Sequence, residues 1–250
     1  MTLQYCNDYQ KVSETATNWL AERIRRTPEL KLGIATGNSP LAMYRNIAKQ
    51  DDLNTTKVSL FQVDEWAGIS EYSNTCRAYI EKEICEPWDV NRNNCFLFTK
   101  EASRVLSKLE AQQATVTMQQ TLDKLGPLDV LILGFGKNGH IGFIEPSDTW
   151  APETCFVSQL DDATQSHSMV ASEQNPTKMG VTIGLKTIRT AKEILFIITG
   201  NQKLESYHKW LTKELSPQIP ASILWHHPNV FTITDLASEK HAKGFPSKNF

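Results

Sequence analysis

Five short runs, apolar almost from end to end, set the tightest limit on what this chain can fold into: LGIAT at 32–36, VSLFQV at 58–63, LDVLILG at 128–134, EILFIIT at 193–199 and NVFTIT at 229–234. A strand with one face in water alternates apolar and polar residues, whereas a run without alternation needs cover on both faces. Between the runs lie turns with glycine or proline and then helical patterns, at 40–49, at 101–124 (Val105, Leu106, Leu109, Val116, Leu122) and from about 201 (Leu204, Tyr207, Leu211). Strand, turn and helix in repeated order predict an α/β fold. The expected form is one Rossmann-like three-layer αβα domain over 1–250, with a mostly parallel sheet. A polar stretch at 161–178, ending in Asn175-Pro176, reads as a lid or as an ordinary surface loop.

Composition narrows the partners. Net charge is −2 and no block of like charge stands out, which argues against nucleic acid, so a bound phosphate has to be held by few, local cations. The five cysteines (Cys6, Cys76, Cys85, Cys95, Cys155) are odd in number and lack C-x-x-C spacing, as expected of reduced thiols and not of a disulfide framework or zinc site. MTLQYCNDYQKV has no charged-then-apolar signal pattern, and no run is long enough to span a membrane. A cytoplasmic protein without membrane contact is expected, with homo-oligomerisation left open.

In open α/β sheets ligands collect at the carboxyl ends of the strands, so the residues after each run carry the functional signal. After the first come Thr36-Gly37-Asn38-Ser39-Pro40, with Ser39 suited to a helix N-cap and Pro40 to the first helical position. Free N–H groups there suit a phosphate, and a plain strand-to-helix turn has the same pattern. The second run closes on Asp64-Glu65-Trp66. A carboxylate ending an apolar strand is costly to bury without a purpose, so one of the two acids reads as a general base or as a loop cap.

The third run leads into Gly134-Phe135-Gly136-Lys137-Asn138-Gly139-His140-Ile141-Gly142-Phe143-Ile144-Glu145-Pro146. Its first residues match G-x-G-x-x-G, but Gly142 and Pro146 break the helix a dinucleotide site needs, and the first strand lacks the fingerprint. What remains is His140 among glycines, with Asn138 and Glu145 near it, either structural or a proton carrier. The fourth run ends in Gly200-Asn201-Gln202-Lys203, whose lysine in a first helical turn is disfavoured unless it serves an anion. Of the other histidines, His208 reads as a helix surface residue, His226-His227 as neighbours on an extended strand, His241 as tail, and His167 as a ligand contact within the 161–178 stretch. None has metal-ligand spacing.

These blocks together resemble the glucosamine-6-phosphate deaminase and isomerase family, whose relatives include the 6-phosphogluconolactonases. The resemblance covers about 32 to 233. Within the family, Lys137-Asn138-Gly139-His140, Ser158-Gln159-Leu160-Asp161, Ile183-Gly184-Leu185-Lys186 and Ile219-Pro220-Ala221-Ser222 look most like the galactosamine-6-phosphate isomerase branch. The resemblance implies ring opening by His140 with Asn138 and Glu145 behind it, and a proton moved from C2 to C1 by Asp64. Thr36, Gly37, Asn38, Ser39 and Lys203 would hold the phosphate. Loss of ammonia would give tagatose 6-phosphate, or fructose 6-phosphate from the gluco epimer. Proton shuttling calls for no metal or organic cofactor. Two departures stand out: Asn138 replaces an aspartate found in some relatives, and no Arg or Lys occurs between Glu145 and Lys178, where deaminase lids supply basic phosphate ligands. A lactonase on the same scaffold has no use for Glu145. A sugar-phosphate sensor would carry a helix-turn-helix, for which the one helix read before the first strand leaves no room.

Overall fold

The computed structural model describes residues 1–99, 101, 103–173 and 177–236. His241, Asn175 and Pro176 lie outside these residues. Seven parallel strands form the main sheet: β1 (Thr2–Tyr5), β2 (Lys31–Ile34), β3 (Ser59–Gln62), β5 (Cys95–Phe96), β6 (Val130–Gly134), β9 (Glu193–Ile198) and β10 (Val230–Thr234). Their order is β1-β10-β9-β6-β2-β3-β5. A smaller antiparallel sheet joins β4 (Asp64–Ala67), β7 (Phe156–Gln159) and β8 (Met179–Thr182), with β8 in the middle. Among the described residues no helix is long and apolar enough to cross a membrane.

Why the central runs do not alternate is visible in β6. Val130 and Ile132 belong to one core, Leu131 and Leu133 to the other, so both faces of the strand are dry. β9 divides the same way, with Leu195 and Ile197 on one side and Ile194, Phe196 and Ile198 on the other. α1 (Tyr9–Arg26), capped by Asp8, whose side chain accepts from Lys11 N at 2.7 Å, and α2 (Asn38–Ile47) pack on the first face. α4 (Ala111–Leu125), α6 (Leu185–Thr190) and α7 (Leu204–Leu211) pack on the second. The expected three-layer αβα architecture with a mostly parallel sheet is the one observed.

Several elements differ from expectation. The 101–124 helix begins only at Ala111, and Leu109, expected on its apolar face, is 96% exposed. Ser107 and Glu110 explain the late start: Ser107 Oγ donates to Glu110 Oε2 and accepts from Glu110 N (3.3 Å), a capping arrangement written in the sequence as S-x-x-E. β1 pairs with β10 at the sheet edge, although the first residues read as helix alone. His226 ends a 3-10 helix (Pro220–His226), not an extended strand, and His227 is buried with Nε2 2.8 Å from Ala191 O. His208 is exposed on α7, as expected. The 161–178 stretch carries a short helix, α5 (Asp162–Gln165), and a 3-10 turn (Ser168–Val170). Glu173 ties it down by accepting from Ser70 N (2.9 Å), Glu71 N (3.1 Å) and Asn74 Nδ2 (2.8 Å).

Chain order along the sheet reverses between β2 and β6: from β2 it runs outward through β3 to β5 on one side, and through β6, β9 and β10 on the other. A crevice outside the carboxyl ends of the strands is the expected ligand site at such a point.

Candidate active site

A cavity of about 910 Å³ opens at that point. Thr36, Gly37, Asn38, Ser39, Asp64, His140 and Lys203 line it, whereas Asn138 and Glu145 lie behind His140 and Glu65 does not reach it. Four parts of the wall follow strands of the main sheet, the Thr36 turn after β2, Asp64 after β3, the glycine-flanked loop after β6 and Lys203 after β9, and Tyr9, Cys76 and the 163–169 stretch help to complete it.

The turn after β2 differs from the expected cap. α2 starts at Asn38, with Gly37 (φ 98°) before it and no side-chain cap. Ser39 is thereby freed from capping. Its Oγ shares a hydrogen bond with Thr199 Oγ1 (2.9 Å) and accepts from Lys203 Nζ (3.2 Å). Burial lowers Lys203 to about 8, partly opposed by Asp235, whose Oδ1 accepts from Gly200 N at 3.2 Å. A half-buried cation, two hydroxyls and a helix N-terminus facing one space suit an anion.

The adjacent acids divide their roles. Glu65 is fully buried and accepts from Gln62 Nε2 (2.9 Å), Trp66 N (2.8 Å), Cys76 N (2.9 Å) and Arg77 N (2.8 Å). Its carboxylate therefore ties β4 to the start of α3 (Cys76–Ile80). Asp64, 7% exposed, faces the cavity instead. Burial, then Glu65 beside it, raises its carboxyl to about 7, against the opposing pull of His140 and a hydrogen bond from Cys76. Such a group can both take and return a proton near neutral pH.

His140 Nδ1 lies 2.8 Å from Asn138 Oδ1, 3.1 Å from Thr164 Oγ1 and 3.5 Å from Glu145 Oε2. Asn138 Nδ2 donates to Glu145 Oε2 (2.9 Å), so its Oδ1 can only accept, and Nδ1 must carry the hydrogen. The lone pair is then on Nε2, on the Gly136 side of the ring. Burial works to raise the Glu145 carboxyl, but hydrogen bonds from His140, Thr164 and Asn138 outweigh it and hold it below the usual range.

Sequence reasoning passed over Cys76, Thr164, Thr199 and Asp235. Asp235 and Thr199 were legible, because both sit at strand carboxyl ends like the residues that were found. Cys76 and Thr164 carry no local signal. His167 lines the cavity; its Nδ1 accepts from Met169 N (3.2 Å), which directs Nε2 toward the Gly37 turn. Burial, then His140, Lys203 and Lys137, lower it to about 4, so it stands there as a neutral donor. Among the described residues no three His, Cys, Asp or Glu side chains converge as a metal cluster.

Fold and cavity together define an α/β protein whose pocket suits an anion and faces a carboxyl and an imidazole. The family described as glucosamine-6-phosphate isomerases/6-phosphogluconolactonase matches residues 7–233, and the chain belongs to it. It is 33% identical over 232 residues to the candidate deaminase AgaI of Escherichia coli K12, covering 91% of this chain and 89% of that one. It is 31% identical over 240 residues to a glucosamine-6-phosphate deaminase of Shouchella clausii (94% and 95% covered). A solved monomeric glucosamine-6-phosphate deaminase superposes with a TM-score of 0.82 at 28% identity, over 94% of this chain and 97% of the other. The 6-phosphogluconolactonase of Plasmodium vivax shares the fold, with a TM-score of 0.73 at 15% identity over 96% and 92%.

Proposed function

We propose that this chain is a hexosamine 6-phosphate isomerase and deaminase acting on galactosamine 6-phosphate to give tagatose 6-phosphate and ammonia. The observation that carries the reaction is Asp64, a buried carboxyl poised at about 7 in the same cavity as the free Nε2 of His140. A lactonase needs only a base for water; two proton carriers on one cavity suit an isomerisation that follows ring opening. The galacto epimer rests on the four short blocks that resemble that branch.

In this reading His140 Nε2 accepts the O1 proton of the closed sugar and returns one to the ring oxygen, which opens the ring. Asp64 then removes the C2 proton while O1 takes a proton from the substrate's ammonium group, giving an enolamine, and delivers the C2 proton to C1. The resulting C2 iminium adds water and expels ammonia, leaving the ketose. Asn138 and Glu145 support the imidazole while it is charged. Ser39, Thr199, Lys203 and the Gly37 turn hold the phosphate, with His167 donating from the far side in a stretch that has no Arg or Lys.

Lys203→Gln should raise KM for the sugar phosphate about 10- to 100-fold, the worth of a hydrogen bond to a charged group, and leave kcat within a few fold. With the wild type, KM should climb as pH rises past about 8, where the unliganded lysine loses its proton. A KM unchanged in the variant removes Lys203 from the phosphate site.

The direct test is ammonia release from the purified protein given galactosamine 6-phosphate and glucosamine 6-phosphate in parallel. Release from the galacto compound, with tagatose 6-phosphate formed, supports reaction and epimer together. Release mainly from the gluco compound keeps the mechanism and overturns the epimer. Hydrolysis of 6-phosphogluconolactone with no ammonia from either sugar replaces the reading with the lactonase.

A further inference from the structure

Cys76 opens α3 and is 1% exposed, yet it lies on the cavity wall. A buried cysteine commonly serves as a small apolar filler, and Cys76 does pack in the cluster of Trp66, Ile69, Phe143, Leu160 and Val170, but its sulfur also makes two hydrogen bonds. Thr36 Oγ1 donates to Sγ at 3.3 Å, and Sγ donates to Asp64 Oδ1 at 3.6 Å. The backbone N–H of Cys76 is fixed in turn on Glu65 Oε1 (2.9 Å). Asp64 Oδ2 makes no hydrogen bond to another described residue, and lies 3.6 Å from where a side chain at Gly142 would begin.

We infer that the Cys76 thiol is the positioning residue of the base: by donating to Oδ1 it sets the rotation of the Asp64 carboxylate and leaves Oδ2 as the oxygen that collects and returns the C2 proton. The inference rests on the reading of Asp64 as the base. The chain of donors runs from Thr36, in the phosphate turn, through sulfur to the carboxylate, so the two ends of the substrate site share one hydrogen-bonded link.

The thiol keeps its hydrogen. Burial, then Glu65 and Asp64, push it well above its ordinary range, so at neutral pH it is a donor and not a thiolate. The groups whose charge reaches Asp64 are Glu65 beside it in the chain, His140 across the cavity and Cys76 on α3, with the Tyr44 phenol also within its field. Loss of the thiol donor removes support for the charged carboxylate, so its pKa must rise, and the acid limb of turnover with it.

The test is the pH dependence of kcat for the wild type, Cys76→Ala, Cys76→Ser and Asp64→Asn, with KM followed throughout. In the wild type the acid limb should fall near pH 7. Cys76→Ala should lower kcat about 3- to 10-fold with KM nearly unchanged, and move that limb up by about half a pH unit. Cys76→Ser, which keeps a donor, should restore both. If Cys76→Ala does not fold, Cys76→Val fills the space without a donor and carries the same comparison. A Cys76→Ala profile that superimposes on the wild type overturns the inference, as does a serine variant displaced as far as alanine. Turnover retained in Asp64→Asn would instead overturn the base reading, and this inference with it.

Discussion

Asp64→Asn should fold, bind the sugar phosphate and fail to exchange the proton at C2. Asparagine matches aspartate in shape, and its side-chain oxygen can still accept from the Cys76 thiol, so the cavity wall stays closed. What disappears is the capacity to hold a proton between C2 and C1. Losing a general base lowers turnover by about 10²- to 10⁴-fold, and the amide should fall at the severe end because it cannot be protonated in passing. Deuterium incorporation at C2 from D2O measures the step directly, and normal incorporation removes Asp64 from the mechanism.

The same variant makes a second prediction of opposite sign. Burial raises the Asp64 carboxyl from 3.8 to about 7, so the folded wild type binds this proton more tightly than the unfolded chain does. That contribution to stability is complete below about pH 4 and is lost as pH rises through 7. Asparagine carries no such charge. Asp64→Asn should therefore melt at higher temperature than the wild type at pH 8. The gain should be worth a few kcal/mol, because a tenfold difference in proton affinity between folded and unfolded chain is worth about 1.4 kcal/mol. The difference should close by pH 4. An inactive variant that is more stable only above pH 4 is the signature of a base held ready at the expense of the fold.

How much of this was legible in the sequence depends on how local each signal is. The parallel sheet was readable because β6 and β9 are apolar on both faces, a property carried within single runs of residues. Most of the site followed from one rule, since the turn after β2, Asp64, His140 and Lys203 all stand at strand carboxyl ends. The antiparallel sheet was not readable. β4 continues directly from β3 after Val63, and only its pairing with β8, more than a hundred residues on, makes Asp64–Ala67 a strand. Thr164 and Cys76 were missed for the same reason, because their significance lies in atoms of His140 and Asp64 that only the tertiary fold brings near. Ser39 was assigned to a cap because its neighbours suit one. The helix starts at Asn38 instead, which releases the hydroxyl toward Thr199 and Lys203.

The glycines of Gly134-Phe135-Gly136-Lys137-Asn138-Gly139 look alike as a motif, and the structure separates them into three different requirements. A Cβ at Gly134 would meet nothing within 4 Å, although Gly134 lines the cavity, so Gly134→Ala should fold as the wild type does and leave the His140 ring in place. Gly139 has φ 92° and lies against Ile219, so alanine there should cost about 1–3 kcal/mol of stability through backbone strain. Gly136 is not left-handed, so its backbone accepts alanine, but a Cβ there would overlap Cε1, Nε2 and Cδ2 of His140. The ring cannot yield cheaply, because Nδ1 is held by Asn138 and Thr164 and lies beside Glu145. Gly136→Ala should therefore displace the imidazole, cost about 10²-fold or more in kcat, as much as His140→Gln, and lower stability by about 1–3 kcal/mol through the hydrogen bonds lost at Nδ1. Because both changes remove one function, the double variant should be scarcely worse than either single one. If the two losses multiply instead, Gly136 serves something other than the placement of His140. Equal tolerance of alanine at 134 and 136 would mean that the ring has room to move, and that its position is not what ring opening depends on.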